Sequence, residues 1–339
     1  MTEENAENLE DSVHFSWGQF SIFANSQTNK LRDMETISRR NALKWLGLGA
    51  AALAFSPYVR AEELFNKPLF RDPLHPQGPQ GMPPLKYDEP VVYEGPDVII
   101  RQIDAHTWEG NGHLMANETI YIIEGNDKAI LLDAGTKIDD LDKIVAGITK
   151  KPITLIATHV HPDHTGSAIN YFPEIWINAA DTVNVPMFMA DYKGKINYLE
   201  DGQVFDLGGR RIEVIFTPGH TPGSATFFEM EGDRKWGYSG DAFGSGNLLL
   251  TTNFSTLLAT TTRIEAYMKR HGIDKMYPGH YMGRNPETLQ RISDLRRMSE
   301  EMIEGTRQGS TNGQAMMGLN GRIRDFGVNI SYRDPEGLK

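Results

Sequence analysis

The chain has 339 residues, of which 39% are hydrophobic, so it can build a packed core in one large domain or two small ones. Its formal net charge of −11 argues against a surface that binds nucleic acid. Because the sequence contains no cysteine, it excludes disulfides, thiolate metal sites, iron–sulfur clusters and a cysteine nucleophile. Any metal ion must therefore be held by His, Asp and Glu side chains.

Residues 1–61 predict a leader that directs export. The polar residues 1–33 carry no periodic apolar pattern, and Arg39 and Arg40 then precede an uncharged apolar run at 45–55. A basic start, a short apolar core and small residues at the exit are typical of a secretory signal. The paired arginines resemble the twin-arginine export signal. The run of about 11 residues is too short for a membrane span, which needs roughly 20.

The predicted signal has consequences for the mature protein. Cleavage after the small residues near position 61 would give a chain that begins near Glu62 and keeps no stable membrane span. The expected location is periplasmic or secreted. Met34 would give a signal of ordinary length, so a start at Met1 and a start at Met34 are both left open by the sequence.

Residues 62–96 hold many of the prolines of the chain and predict an extended arm with little regular structure of its own. Two interpretations are open for this arm. It is a strap over the surface of the domain, or it contacts another subunit or forms a wall of the functional site. The pattern changes at Asp97, and residues 97–339 predict the folded domain.

Beyond Asp97, short apolar runs alternate with turn-forming Gly, Asp and Asn residues. They predict strands at 98–103, 119–123, 129–132, 153–157, 174–178, 204–207, 211–217, 225–230, 235–238 and 275–277, and an edge strand near 323–332. Helical spacing predicts helices at 139–148, 163–172, 180–191 with an interruption at Pro186, 263–271 and 286–306. Strands and helices interleave, so the predicted class is mixed α and β.

The stretch from His159 to His164, with the sequence HVHPDH, is the strongest sign of function. It follows an apolar run and places three imidazoles and one carboxylate within six positions. These groups are ligands that zinc and similar divalent metals prefer. Because side chains alternate along an extended strand, His159 and His161 point the same way. The turn at Pro162 is expected to bring Asp163 and His164 beside them.

Three further candidate ligands stand downstream, and each follows an apolar run. They are His220, Asp241 and His280, and each comes directly after a glycine that permits a sharp turn. One such residue alone would favour a structural role. The repeated context instead indicates strand ends that deliver ligands to one edge, which is the usual way to hold a site on a rigid scaffold.

In this order of motifs the chain resembles the metallo-β-lactamase superfamily. The residues that carry the resemblance are the HxHxDH signature (His159, His161, Asp163 and His164), the later His220, Asp241 and His280, and the upstream Asp133. The resemblance spans roughly residues 97–285. It implies an α/β fold with a four-layer αββα sandwich, a hydrolase domain over 97–339, and a site along one edge of the two sheets.

The resemblance also implies roles for these residues. One metal would be held by His159, His161 and His220, and the second by Asp163, His164 and His280, with Asp241 bridging both. Asp133 would orient the ligand loop from behind. An ordinary Asp at a strand end is the alternative interpretation for Asp133.

This ligand set suits two zinc ions, with manganese and iron as alternatives. Zinc lowers the pKa of bound water from 15.7 to about 7, so a bridging hydroxide is expected to attack the carbonyl of an ester, lactone or amide. Asp163 is the expected catalytic residue that takes the proton of the attacking water. His161 stands where diiron flavoproteins of the family carry Glu, which favours zinc. The alternatives are an iron-dependent oxidoreductase on the same fold and a metal-binding protein without turnover.

The expected partner is a small-molecule substrate, and no nucleic acid is expected; the sequence does not indicate an oligomeric state. In the fold that the resemblance implies, a loop between early strands overhangs the metals, and residues 108–115 are assigned to it. The candidate pocket residues are Trp108, His113, Met115, Phe243 and Tyr281. An Asp at position 241 resembles the residue that lactonases, thioesterases and general hydrolases of the family carry, whereas β-lactamase classes keep Cys or Ser near the second metal. A β-lactam stays among the candidate substrates.

Overall fold

A computed structural model describes residues 87–113, 117–229 and 234–338, with only the backbone of 312–316. The predicted leader and most of the predicted arm lie outside the described residues. Within the described ranges, no helix combines the length and the apolar character that a membrane span requires.

The first sheet contains eight strands in sequence order. They are β1 (Val91–Glu94), β2 (Val98–Asp104), β3 (Thr107–Gly112), β4 (Thr119–Glu124), β5 (Ala129–Leu132), β6 (Ile153–Ile156), β7 (Glu174–Ile177) and β8 (Lys195–Tyr198). Strands β1 to β5 pair antiparallel, and β5 to β8 pair parallel. Strand β1 lies within the predicted arm, so the end of the arm has regular structure and forms one edge of this sheet.

Two further sheets follow. Their strands are β9 (Val204–Asp206), β10 (Arg211–Phe216), β11 (Ala225–Glu229), β12 (Trp236–Gly240), β13 (Asn247–Leu249), β14 (Lys275–Pro278), β15 (Glu287–Thr288), β16 (Ser310–Met316), β17 (Leu319–Asp325) and β18 (Val328–Tyr332). The second sheet has the order β15-β14-β12-β11-β10-β9, and the third has the order β13-β18-β17-β16.

Within the described residues, four α-helices connect these strands. They are α1 (Leu141–Ile148), α2 (Val185–Phe188), α3 (Phe254–His271) and α4 (Leu289–Glu304). Helix α3 begins nine residues before the predicted start. Asn253 caps it by accepting a hydrogen bond from the backbone N–H of Thr256. The Thr residues that follow hide the first half of the helix from a periodicity search. Thr288 caps α4, which begins later than predicted because residues 287–288 pair with β14.

The alternation of side chains along β4 shows how the layers pack. Ile122 lies in a core with Leu141 and Val145 of α1, on the outer face of the first sheet. Its neighbour Tyr121 points the other way and lies in the core with Phe227 of β11 in the second sheet. Side chains of one strand therefore bury against a helix on one side and a sheet on the other.

The opposite face of the second sheet packs against helices. Phe228 and Met276 lie in a core with Ile264 of α3, Leu295 of α4 and Ile330 of the third sheet. Full burial of each such side chain contributes about 1.5–3 kcal/mol. The order helix, sheet, sheet, helix confirms the predicted four-layer αββα sandwich.

A buried ion pair fastens the two sheets of the sandwich together. The guanidinium of Arg210 donates to both carboxylate oxygens of Glu229 at 2.6 Å. The same group donates to Thr107 Oγ1 at 2.7 Å, and to the backbone oxygens of His106 at 2.7 Å and Glu124 at 2.9 Å in the first sheet. One side chain thus satisfies acceptors from both sheets.

The predicted helix at 163–172 is wrong. The chain forms a tight turn and then a 3-10 turn at Ser167–Tyr171. The backbone N–H of Gly166 donates to Gly135 O, and that of Ser167 donates to Thr136 O. These two N–H groups therefore do not form the hydrogen bonds of an α-helix. The predicted helix at 180–191 is likewise replaced by a 3-10 turn at 179–184 and the short α2.

Two strand predictions also need correction. Residues 108–115 are predicted as an overhanging loop, but 108–112 belong to the buried strand β3. Its inner face carries Thr107, Glu109 and Asn111, which pair with buried arginines, so the segment lacks the apolar alternation of a strand. The single strand predicted at 323–332 is the hairpin of β17 and β18, turned by Phe326 and Gly327 at φ of 50° and 75°.

Candidate metal centre

All seven predicted ligands meet beyond the ends of four strands. His159 follows β6, His220 follows β10, Asp241 follows β12 and His280 follows β14. The ligand atoms form two groups, within each of which they lie within 4.8 Å of one another. The first group is His159, His161 and His220, called here the three-His cluster, and the second group, called the mixed cluster, is Asp163, His164, Asp241 and His280.

The three imidazoles of the three-His cluster turn nitrogen atoms toward one another. His220 Nε2 lies 2.9 Å from His161 Nδ1 and 3.2 Å from His159 Nε2, and the last two nitrogens are 3.1 Å apart. His220 Nδ1 faces the backbone oxygen of Leu249 at 2.9 Å, which assigns the proton to Nδ1 and leaves the lone pair on Nε2.

Burial sets the charge of the three-His cluster. It lowers the pKa of His159 and of His161 well below the ordinary value, and the nearby imidazoles lower it further. The pKa of His220 is also lowered by burial. Neutral imidazole is the form that binds a metal ion, so these side chains are in the binding state at neutral pH.

Asp241 is the member of the mixed cluster that also faces the three-His cluster. Its Oδ2 is 3.1 Å from His280 Nε2 and 3.6 Å from His164 Nε2 in the mixed cluster, and 3.7 Å from His220 Nε2 in the three-His cluster. Asp163 Oδ2 completes the mixed cluster at 3.4 Å from His280 Nε2. One carboxylate oxygen is thus within reach of ions held by either group.

The charges of the mixed cluster favour a cation. Burial raises the pKa of Asp241, but His280 and His164 outweigh it and hold this pKa well below the ordinary value. Burial lowers the pKa of His280, but Asp241 outweighs it and raises this pKa to about 9. The carboxylates of Asp133, Asp163 and Asp241 likewise raise the pKa of His164 against the effect of burial. The negative potential that draws protons here also attracts a metal cation.

The residues present fit a pair of divalent metal ions. Buried imidazole nitrogens about 3 Å apart cannot all donate hydrogen bonds to one another, but they can share one cation. Buried His164 Nε2 has no hydrogen-bond partner among the described residues. The histidines and aspartates therefore form metal-binding clusters of the type found in zinc sites of this donor chemistry.

Asp133 supports the mixed cluster from behind. Its φ is 64°, and its Oδ2 accepts from His164 Nδ1 at 2.7 Å. The same carboxylate accepts from the backbone N–H of Thr158 at 2.7 Å and from its hydroxyl at 2.9 Å. A carboxylate on Nδ1 directs the lone pair of Nε2 toward a metal ion.

Two residues beside the clusters were not predicted. Asp181 is fully buried and accepts from the backbone N–H of Val160, between His159 and His161. The ring of Phe188 in α2 packs edge-on against His161, with centroids 5.7 Å apart. Both lie on the segment predicted as a long helix, and neither has a motif that a single sequence reveals.

Of the five predicted pocket residues, three are buried in the core, one is on the surface and one lies outside the described residues. Trp108 lies in the core against α1, and Phe243 lies in the core with α3 and α4. Tyr281 is buried, with its hydroxyl 2.9 Å from the backbone oxygen of Gly283. His113 is on the surface, where partial burial lowers its pKa, and Met115 falls outside the described residues.

Gly279 gives a test of the packing around Asp241. A Cβ at this position would lie 2.3 Å from Asp241 Oδ1 and 2.8 Å from His164 Cε1, so Gly279→Ala must displace two predicted ligands. We expect about a 10–100-fold loss of zinc affinity in the variant, of the size seen when ligand orientation is disturbed. Isothermal titration of metal-free protein with zinc measures it.

Gly219 is the matched control, because it also stands between a Pro and a ligand His. A Cβ there would meet its nearest neighbour, Leu257 Cδ1, at 3.6 Å, which is ordinary contact. Gly219→Ala is therefore expected to keep the affinity of the unchanged protein. Equal losses in the two variants would show that the crowding at Gly279 does not control the site.

Comparisons with known proteins agree with this geometry. The sequence model of the Metallo-beta-lactamase superfamily matches residues 116–280. The Homo sapiens protein named Acyl-coenzyme A thioesterase MBLAC2 is 25% identical over 215 residues, covering 51% of this chain and 76% of the relative. The Bacillus velezensis protein named Probable polyketide biosynthesis zinc-dependent hydrolase BaeB is 28% identical over 199 residues, covering 53% and 82%.

A fungal relative and a solved structure are also similar. The Aspergillus chevalieri protein named Atrochrysone carboxyl ACP thioesterase is 27% identical over 230 residues, covering 65% of this chain and 67% of the relative. Among solved structures, a motif mutant of a metallo-beta-lactamase from Cronobacter sakazakii has 17% sequence identity and a TM-score of 0.46. The match covers 61% of this chain and 98% of the chain in that solved structure.

Proposed function

Because the chain belongs to the metallo-beta-lactamase superfamily and is a metal-dependent hydrolase, we propose that it is a dinuclear zinc enzyme that hydrolyses acyl esters, with thioesters as the preferred class. The observation that carries the proposal is the position of Asp241 Oδ2, within 3.7 Å of imidazole nitrogens from both clusters. Such an arrangement supports two ions with one shared carboxylate.

Different residues of the chain have different roles around the two ions. His159, His161 and His220 would hold one zinc ion, and the mixed cluster would hold the other. When bound, the two ions would supply a nucleophile from water at neutral pH and a Lewis acid for the carbonyl of the substrate. Asp163, whose side chain is partly exposed next to His280, would take the proton of the attacking water on the carboxylate oxygen that does not face His280.

The choice of thioesters rests on the relatives. Two of the similar proteins are named as thioesterases of acyl carriers, from an animal and from a fungus, and a third is named as a zinc-dependent hydrolase. A thioester is a more reactive acyl donor than an amide, so a positioned water suffices without a serine nucleophile. Oxygen esters and lactones present the same carbonyl and belong to the same proposal.

The surroundings of Phe188 support an apolar acyl group. This half-buried ring packs on His161 of the three-His cluster. Met187 beside it is 47% exposed and Val183, one helical turn earlier, is 72% exposed. Apolar side chains that lead from a metal ligand to solvent favour a substrate with a hydrocarbon chain over a strongly polar one.

Phe188→Ala is expected to alter chain-length preference. Loss of the ring removes an apolar contact of about 1.4 kcal/mol, which is tenfold in kcat/KM, for a hexanoyl thioester. An acetyl thioester does not extend to this ring, and its kcat/KM should change less than about threefold. Steady-state kinetics over a series from acetyl to decanoyl thioesters measures both effects.

Phe326→Ala is the control for that series, since Phe326 is an exposed ring in the turn between β17 and β18. It should leave the preference unchanged. An equal effect of Phe188→Ala on the short and long acyl chains would contradict the role given to Phe188.

A substrate and metal panel tests the proposed activity itself. Acyl thioesters, chromogenic esters, lactones and a cephalosporin are assayed with and without a chelator, and metal content is measured on protein purified without added metal. We expect thioester or ester turnover that the chelator removes and zinc restores. Full metal occupancy without turnover would favour a metal-binding protein, and near-stoichiometric iron with visible colour would favour the oxidoreductase alternative.

We also propose that the chain is exported with its metal centre already folded. The support is the sequence of the leader, with Arg39 and Arg40 ahead of a short apolar run, and the absence of cysteine, so that folding needs no oxidising compartment. N-terminal sequencing of the mature protein tests this. A mature start near Glu62 agrees with export, and an intact start at Met1 or Met34 contradicts it.

A further inference from the structure

Asp181 holds two separate backbone segments with one carboxylate. It lies in the 3-10 turn Ala179–Asn184, which follows β7, and it is fully buried. Its Oδ2 accepts from the backbone N–H of Val160 at 2.8 Å and from Thr221 Oγ1 at 2.9 Å. Its Oδ1 accepts from the backbone N–H of Gly223 at 2.7 Å. Three donors therefore converge on a single buried side chain.

These donors belong to the segments that carry the three-His cluster. Val160 stands between His159 and His161, and Thr221 directly follows His220. The carboxylate is thus a bridge between the end of β6 and the end of β10, formed next to the ligands but not among them. Hydrogen bonds from backbone N–H groups to a buried carboxylate are strong, so the bridge fixes the distance between the two segments.

The packing around this bridge leaves little freedom. A Cβ on Gly223 would lie 2.5 Å from Asp181 Cγ, so the second segment can approach the carboxylate only because residue 223 has no side chain. Thr221 Oγ1 is also 2.9 Å from Ser224 Oγ, which holds the same turn from within. The His220 turn is therefore set against Asp181 at close contact.

Asp133 makes the equivalent contacts on the other side of the centre. It bonds His164 of the mixed cluster and both the backbone N–H and the hydroxyl of Thr158. These side-chain bonds join the mixed cluster to Thr158 at the end of β6, and the hydroxyl of Thr158 also lies 3.2 Å from His159 Nδ1. Of the two buried carboxylates, Asp133 alone bonds a ligand of the mixed cluster, and Asp181 alone bonds the segment that carries His220.

We propose that Asp181 is a positioning residue that sets the metal affinity of the three-His cluster, while Asp133 sets that of the mixed cluster. The inference rests on the metal centre of the proposed function. Three imidazole nitrogens must be held about 3 Å apart before the ion arrives, and a site that is held in this way binds more tightly than one that must be assembled. Loss of such an outer contact lowers metal affinity about 10–100-fold.

Asp181→Asn is the test variant. The amide keeps the size of the side chain but turns an NH2 group toward a backbone N–H, of Val160 in one orientation and of Gly223 in the other. Titration of the metal-free full-length chain with zinc, followed by calorimetry, is expected to show two binding steps. In Asp181→Asn one step should weaken about 10–100-fold and the other should change less than about threefold.

Ligand variants assign the two steps. The step weakened in Asp181→Asn should be the one removed by His161→Ala, and the step that persists should be the one removed by His280→Ala. Asp133→Asn should show the reverse pattern. Asp191→Asn makes the same chemical change at an exposed position and should leave both steps unchanged.

The outcomes separate this inference from the proposed function. Equal weakening of both steps in Asp181→Asn, or unchanged affinity with a lower melting temperature of the metal-free protein, would overturn the inference and show a purely structural role. No zinc binding by the unchanged protein would instead overturn the proposed function. If Asp181→Asn does not fold, Thr221→Val removes one donor to the carboxylate and should weaken the same step by a smaller factor; an unchanged step would overturn the inference.

Discussion

His161→Ala is expected to lower kcat/KM for ester hydrolysis about 10³-fold or more. The substitution removes one of three imidazoles from the three-His cluster, and the metal ion that this cluster would hold would supply several kcal/mol of transition-state stabilisation. His161 is nearly buried but is not part of an apolar core, so the variant should keep its fold. Activity, metal content and circular dichroism on one preparation measure the three parts of this result.

His106→Ala is the control for that experiment. His106 is an exposed histidine that pairs with Glu124 on the surface, where such pairs contribute about 0–1 kcal/mol. It should leave both activity and metal content unchanged. Turnover retained in His161→Ala with normal metal content would place the active site elsewhere on the chain.

Arg210→Met is expected to destabilise the fold by about 3–5 kcal/mol. The change leaves the buried carboxylate of Glu229 without its bidentate partner and removes the bonds that reach Thr107 and the backbone of β4. Burial raises the pKa of Glu229 and the guanidinium opposes this rise, so loss of Arg210 should also drive the carboxylate toward its protonated form. Urea unfolding of the metal-free protein measures the free energy of unfolding.

The double variant Arg210→Met with Glu229→Leu provides the control for this interpretation. Removal of both charges leaves no uncompensated ion, so most of the lost stability should return. A double variant as unstable as Arg210→Met would show that the bonds to the first sheet, and not the unpaired carboxylate, account for the loss.

The fold class could be predicted because most of its strands are marked locally. The apolar run 129–132 is buried on both faces of the first sheet, and the run 153–157 is buried in its second half. Such runs indicate strands without tertiary information. Strand β3 could not be found in this way. Its inner residues Glu109 and Asn111 are polar and become compatible with a core through distant partners, chiefly Arg101 on the neighbouring strand.

The predicted metal ligands are marked by a local sequence pattern, whereas the unpredicted positioning residue Asp181 is not. His159, His161, Asp163 and His164 form a contiguous motif, so their type and spacing alone indicate a metal site. Asp181 gains its role from Val160 and Thr221, which are 21 and 40 residues away along the chain. No local pattern distinguishes it from an ordinary surface aspartate.

The substrate side of the centre was the least predictable part. Phe243 follows the ligand Asp241 by two residues in sequence, but its ring lies in the core with α3 and α4. Trp108 is likewise a core residue, packed against α1. Phe188 reaches His161 from a short helix that follows β7. Its place depends on how the segment 178–191 passes from a 3-10 turn into the short α2, which has Pro186 in its first turn, and periodicity alone does not fix this change.

Anomalous diffraction from crystals of the zinc-loaded protein, recorded at the zinc absorption edge, tests the central claim most directly. We predict two anomalous peaks about 3.5–4 Å apart, one bounded by His159, His161 and His220 and the other by the mixed cluster, with Asp241 between them. No peak at these side chains, or zinc bound only elsewhere on the chain, would contradict the account.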